Sequence, residues 1–123
     1  MHKSVLIAKF EFFLESLSLI ETWFRDIHQP DDFINTSLGR SHFDATLMRL
    51  QTIGEVLKKI ENEHPDLLPK YPQVEWYEII RLREIISHHY EQLSHEIIFR
   101  VCTDDVTVLK TTIENIIADL KSA

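Results

Sequence analysis

The chain of 123 residues has the length of a single domain, and its hydrophobic fraction of 44% excludes a disordered chain. Its net charge of −7 excludes nucleic-acid binding through bulk positive charge, and its single cysteine excludes a disulfide framework or a cysteine-based zinc cluster. No apolar run approaches the roughly 20 residues of a membrane span. We therefore expect one cytoplasmic domain over residues 1–123 that does not enter a membrane.

Apolar residues recur at alternating steps of four and three through the first part of the chain, which predicts a helix from about Lys3 to Ile27. This stripe consists of Leu6, Phe10, Phe13, Leu17, Ile20, Phe24 and Ile27. Further apolar residues widen the surface beyond one stripe, namely Phe12, Leu14, Leu19 and Trp23. We therefore expect this helix to be buried on two sides or to form a subunit interface, and the protein to be a homodimer.

A second helix is predicted after the turn at residues 29–32. Residues 35–37 are Asn, Thr and Ser, which offer N-caps, and the helix should end near Glu63 because His64-Pro65 is a poor helical dipeptide. Gly54 lies inside this helix, where glycine costs about 1 kcal/mol relative to alanine. Close approach of another helix backbone would explain the glycine.

The second half of the chain predicts two further helices and a short one. The third helix begins around Val74 to Trp76, and we expect a break between Gln92 and Ser94. A short apolar helix from Ile97 to Val101 follows, and Asp104 is then predicted to cap a last helix. The elements together predict an all-α fold, a four-helix bundle with an additional short helix.

The polar segment of the third helix carries the residues suited to chemistry: Arg83, Glu84, His88, His89 and Tyr90. Histidine suits proton transfer near neutral pH, because its ordinary pKa is about 6.5. Arginine suits a phosphate group, because its planar guanidinium forms paired hydrogen bonds and remains charged. Tyrosine can stack on a base or bond a phosphate oxygen. These residue types are those of a metal-independent ribonuclease.

The spacing Arg83-x4-His88-x-Tyr90 resembles the Arg-x4-His-x-Tyr motif of the HepT toxins, a branch of the HEPN superfamily. The resemblance extends from about Phe12 to Leu120. Several positions outside the motif also look like HepT positions: Gly54-Glu55, Pro65, Trp76 and the tail from Ile98 through Leu109 to Ile117.

The resemblance implies an RNA-cleaving toxin of a type II toxin–antitoxin system, built as a homodimeric helical bundle with two motif copies facing one cleft. Arg83 and His88 would be catalytic, without a metal or another cofactor. The partner would be an antitoxin of the MNT type, a minimal nucleotidyltransferase, and Tyr90 would be the tyrosine that receives AMP. Glu84 and His89 would be auxiliary residues.

The geometry of a straight helix adds a condition to this hypothesis. At about 100° per residue, Arg83 and Tyr90 lie about 20° apart, whereas His88 lies about 140° from Arg83. One straight helix cannot direct both Arg83 and His88 at a single phosphate. Either the helix distorts near Ser87, or the site combines Arg83 of one subunit with His88 of the other.

Three alternatives remain open. Glu84 stands where the family commonly has a small polar residue, and its carboxylate opposes an anionic substrate, which favours a non-catalytic module that binds a nucleotide or a nucleotidyltransferase. A metal-binding bundle is the second alternative. Steps of four, three and four residues would place four possible ligands on one helical face, namely Glu84, His88, Glu91 and His95. A purely structural interpretation takes Arg83 and Glu84 as a surface ion pair, worth about 0–1 kcal/mol.

Overall fold

A computed structural model describes residues 2–123, and its regular structure over this range is entirely helical. The helices are α1 (Lys3–Phe24), α2 (Ser37–Glu63), α3 (Trp76–His88), α4 (His95–Arg100) and α5 (Val106–Ser122). The predicted all-α, four-helix bundle with an additional short helix is confirmed, with α4 as the short helix. Within residues 2–123 no helix is long and apolar enough to cross a membrane.

The apolar stripe of α1 forms the centre of the core. Its fully buried members are Phe10, Phe13, Leu17 and Ile20. The wider apolar surface is also used within the chain, because Phe12, Leu14 and Trp23 pack partly buried against the core. Among the large apolar residues of α1, only Val5 is exposed, at 47%. Most of the apolar surface of this helix is therefore used within the chain, as one of the two expectations had it, and the homodimer stays a prediction.

Both ends of α2 follow the local signals in the sequence. The Thr36 hydroxyl accepts a hydrogen bond of 2.9 Å from the Gly39 N–H, which satisfies one of the free donors at the start of the helix. The helix ends at Glu63, as predicted from the dipeptide that follows it. Thr36 and the proline at position 65 thus fix the length of the element that faces the polar segment.

The third helix ends earlier than the sequence indicated. Its last residue is His88, and a separate 3₁₀ helix, Tyr90–Gln92, follows it. His89 leaves the helical region of backbone conformation, with φ of −137° and ψ of 37°. The interruption thus begins at His89, about three residues before the predicted break between Gln92 and Ser94, which lies within it, and Tyr90 does not belong to α3.

The prediction that Asp104 caps the last helix is wrong. Asp104 lies inside a π-helical turn, Val101–Asp105, that joins α4 directly to α5 without a break in helical backbone. Ser94 is the residue that caps this combined helix, since its hydroxyl accepts a hydrogen bond of 3.3 Å from the Ile97 N–H. The short helix is thus the first part of the last long one.

The packing leaves α3 at the edge of the bundle. Helix α1 packs against both α2 and α5, whereas α3 packs mainly against α2. The buried residues of α3 are Trp76, Ile80 and Ile86. On its other side, α3 borders an open groove of about 520 Å³ against α4 and α5. The polar segment therefore lies where α3 meets α2, on a surface that the rest of the bundle does not cover.

Candidate functional site

The predicted site residues gather at the C-terminal end of α3 and immediately beyond it. Arg83 and Glu84 lie in the last two turns of α3, His88 is its final residue and His89 caps it. Tyr90 opens the 3₁₀ helix that follows. All except Arg83 are exposed, and Arg83 is partly buried. The segment thus contains one partly buried residue, Arg83, and four residues with solvent-exposed side chains.

Gly54 of α2 determines how close the stem of Arg83 can lie. A Cβ atom at position 54 would overlap the Arg83 Cβ and would lie 3.1 Å from its Cγ and 3.3 Å from the Ile79 carbonyl oxygen. These contacts are shorter than carbon atoms normally allow, so only glycine permits this approach of α3 to α2. The close helix approach expected at Gly54 is confirmed, and the residue that packs against Gly54 is the motif arginine, Arg83.

The guanidinium group of Arg83 has a hydrogen-bond donor that lacks a partner in the described part of the chain. Its Nε atom is buried and has no hydrogen-bond partner in residues 2–123. An unsatisfied buried donor costs about 1–3 kcal/mol, and an anion that accepts its hydrogen bond would recover that energy. Within the same range Arg83 forms no ion pair, so the Arg83–Glu84 pair of the structural interpretation is not formed.

The two histidines stand at the exposed end of the helix. Neither the His88 nor the His89 side chain forms a hydrogen bond or an ion pair within the described range 2–123. Their imidazole groups are therefore open to a bulky substrate. Within the described residues, the site thus combines an arginine donor that lacks a partner with two exposed imidazole side chains.

Tyr90 is held by a residue that the sequence analysis did not connect with it. The Tyr90 hydroxyl donates a hydrogen bond of 2.6 Å to the carboxylate of Asp44. Asp44 lies on α2, 46 residues before Tyr90 in the sequence. This bond, partial burial and the charge of Asp44 raise the pKa of Tyr90, while the nearby Arg40 opposes the shift. The phenol therefore stays protonated past its ordinary pKa of 10.

A second hydrogen bond ties the end of α3 to the same side of α2. The Gln51 side-chain amide donates to the Ser87 hydroxyl at 2.7 Å. Asp44, Gln51 and Gly54 follow at steps of seven and three, which places them on one face of α2. That spacing of polar residues and a glycine beside the apolar stripe is a signal that could have identified the α2 half of the site.

The straight-helix argument needs one correction. Because α3 ends at His88, Arg83 and Tyr90 do not share a helix, and the expected separation of 20° does not apply to them. Arg83 and His88 both remain on α3, so their separation of about 140° around the helix still applies. The backbone change comes after His88 and does not bring it round to Arg83. The two-subunit arrangement stays a prediction.

The stripe of possible metal ligands does not exist as one surface. Glu84 and His88 lie on α3, but Glu91 lies in the 3₁₀ helix and His95 begins α4. The His95 Nε2 atom lies 3.0 Å from a carboxylate oxygen of Asp31, so this imidazole has a partner elsewhere. Across residues 2–123, no group of three or more His, Cys, Asp or Glu side chains is arranged to hold a metal ion.

Comparisons with known proteins match most of the chain. The family described as ribonuclease HepT-like matches residues 13–116. A protein of Methanocaldococcus jannaschii named as a candidate RNase is 36% identical over 77 residues, which cover 63% of this chain and 61% of that protein. A second candidate RNase of the same organism is 31% identical over 101 residues, 82% of this chain and 86% of the relative.

A third relative matches over nearly its full length. It is a protein of Thermococcus cleftensis named as a probable ribonuclease HepT, 29% identical over 115 residues, and the match covers 94% of each chain. The first of the three matches spans less than two thirds of that relative's length. No solved structure matches the chain.

Proposed function

The chain belongs to the ribonuclease HepT-like family, and from that premise we propose that it is an RNA-cleaving toxin that acts in the cytoplasm. The observation that carries the proposal is the partly buried Arg83 side chain, whose Nε is buried and has no hydrogen-bond partner within residues 2–123. In a structural role, this group would be expected to have a carboxylate partner. In a nuclease, a phosphate of the substrate is the missing partner.

The chemistry follows from the residue types. A base removes the proton of the ribose 2′-hydroxyl, the 2′-oxygen attacks the adjacent phosphorus, and the 5′-oxygen leaves with a proton from an acid. His88 supplies proton transfer, and Arg83 neutralises the charge that develops on the phosphate oxygens. Because His88 lies about 140° around α3 from Arg83, we propose that two copies of the chain form the site and that each phosphate contacts both.

The proposed partner is a nucleotidyltransferase antitoxin that transfers AMP to Tyr90. In support, the Tyr90 side chain is 48% exposed and close in sequence to His88, so a nucleotide attached there would obstruct the same surface. The added phosphate would also place negative charge beside the phosphate-binding Arg83 region. A non-catalytic module that binds a nucleotide stays the second candidate, because exposed Glu84 adds negative charge to a surface proposed to bind RNA.

The test is RNA cleavage by the purified, unmodified protein in the presence of EDTA. We expect cleavage in wild type and a loss of about 100-fold in His88→Ala, which is the usual contribution of a proton-transfer group. Arg83→Ala should lose at least as much. His28→Ala is the matched control, because His28 is an exposed histidine outside the motif, and it should keep its activity.

Each contrary result has a definite meaning. Absence of cleavage by the unmodified protein would refute the ribonuclease and favour the nucleotide-binding module. Cleavage that stops in EDTA would replace the proposed mechanism by a metal-dependent one. Equal losses in the His88 and His28 variants would show that the loss does not depend on the motif position, which would contradict the assignment of His88.

A further inference from the structure

Two tyrosines of this protein donate a short hydrogen bond to a carboxylate. Tyr90 bonds Asp44 at 2.6 Å, and Tyr71 bonds Asp119 at 2.6 Å. Tyr71 packs against the core, where the bond fastens a loop to α5. Tyr90 packs against no core cluster and is 48% exposed at the motif. The same chemical pair is thus structural at one end of the bundle and accessible to a reactant at the other.

From this contrast we propose that Asp44 is the general base that makes Tyr90 a nucleophile toward a nucleotidyl group. The inference rests on the proposed function, in which Tyr90 receives AMP. The Tyr90 oxygen attacks the α-phosphorus of a nucleoside triphosphate bound by the nucleotidyltransferase. A phosphorus–oxygen bond forms to Tyr90, the bond to pyrophosphate breaks, and the phenol proton passes to the Asp44 carboxylate.

The need for a base follows from the state of the phenol. The hydrogen bond to Asp44 and partial burial raise the pKa of Tyr90, so the free phenolate is scarce at neutral pH. A neutral phenol is a weak nucleophile unless a base removes its proton as the new bond forms. The proton already points at Asp44 across 2.6 Å, the contact that such a transfer requires. An aspartate has the same role toward the substrate hydroxyl in protein kinases.

The surroundings of the pair leave Asp44 as the base. The charged groups that act on the Tyr90 hydroxyl are Asp44 and Arg40, both on α2. Arg40 cannot accept a proton, because it is a permanent cation. Its charge favours the developing phenolate and the incoming phosphate. Asp44 itself is exposed, so an electrophile can approach Tyr90 without displacing packed side chains.

An arylsulfonyl fluoride tests the inference without RNA or an antitoxin. The reagent transfers its sulfonyl group to a tyrosine oxygen, fluoride leaves, and the phenol proton must go to a base. We would measure the labelling of each tyrosine in the full chain by peptide mass spectrometry between pH 6 and 9. Tyr77, which is 70% exposed, serves as the internal reference in the same sample.

We expect Tyr90 to react faster than Tyr77 at neutral pH, with a rate that changes little with pH. Asp44→Asn keeps an oxygen that can accept the hydrogen bond but removes the base. It should slow Tyr90 labelling by about 100-fold and restore a rate that rises about tenfold per pH unit as the phenol ionises. Asp44→Glu should recover part of the rate. Asp119→Asn is the matched control and should leave Tyr90 labelling unchanged.

Two outcomes would overturn the inference. Equal or faster labelling of Tyr90 in Asp44→Asn would show that Asp44 restrains the tyrosine. A pH profile that is the same in wild type and Asp44→Asn would show that the proton does not go to Asp44. Unchanged labelling of Tyr71, which packs partly buried against the core, excludes a folding defect as the cause. Since the assay contains no RNA, a failure here differs from a failure of the cleavage experiment.

Discussion

The motif arginine and the residues that follow it in the motif are held to the same helix, α2, by different forces. The stem of Arg83 lies within α3 and is fixed by backbone packing against Gly54. The segment from Ser87 to Tyr90 is exposed and is tied by two side-chain hydrogen bonds, to Gln51 and to Asp44. Packing resists displacement over a whole helix, whereas an exposed hydrogen bond contributes only about 0.5–1.5 kcal/mol.

This difference suits the roles proposed for the two parts. The group that binds phosphate must be placed before the substrate arrives, because misplacement of a charged donor weakens its interaction in the transition state. The groups that exchange protons or receive AMP must be reached by an RNA strand and by a partner enzyme in turn. We therefore expect changes at Gly54 to act on the whole helix pair and changes at Tyr90 to act locally.

The largest effect is expected from Gly54→Ala. The added methyl group would overlap Arg83, which should destabilise the protein by about 1–3 kcal/mol and displace the guanidinium. Thermal unfolding would measure the first effect and RNA cleavage at a temperature where the variant is folded would measure the second. Gly39→Ala is the matched control, because its added methyl would overlap the Asp32 carbonyl, away from the motif. A Gly54→Ala variant with full activity would contradict the packing account.

A smaller and more local effect is expected from Tyr90→Phe. Loss of one exposed hydrogen bond should lower the free energy of unfolding by about 1 kcal/mol or less. Amide exchange should quicken from His89 to Leu93 but not in the middle of α3. Tyr71→Phe is the matched variant and should change exchange near Leu68–Lys70 instead. If Tyr90→Phe loosened Arg83 as well, the two parts of the motif would not be held independently.

The smallest effect is a change in titration. Asp44→Asn should lower the pKa of Tyr90 toward 10, because the hydrogen bond to the carboxylate is the largest cause of its raised value. A tyrosine whose pKa is raised in the folded state stabilises the protein below pH 10, and that contribution is lost as pH rises through the raised pKa. Nuclear magnetic resonance of labelled tyrosine would measure the pKa of Tyr90 in wild type and in the variant. A Tyr90 pKa that does not fall in the variant would contradict this assignment.

Local patterns in the sequence were sufficient for most of the fold. The apolar periodicity predicted α1 to within three residues at its end, and the cap at Thr36 and the stop at Glu63 bounded α2. The motif with its surroundings predicted the family to which the chain belongs. Gly54 also predicted a close helix contact, because a glycine inside a helix lowers its stability and favourable packing must offset that loss.

The sequence by itself determined which helices form and which residue types could carry the chemistry, because both depend on neighbours within a few turns. Only the tertiary structure decided where the motif leaves the helix and what holds it. The local sequence predicted a break between Gln92 and Ser94 but not the end of α3 at His88, and the bond from Tyr90 joins residues 46 apart. Gly54 beneath Arg83 and Asp44 beside Tyr90 became parts of one site because α2 packs against α3, a contact that no local pattern specifies.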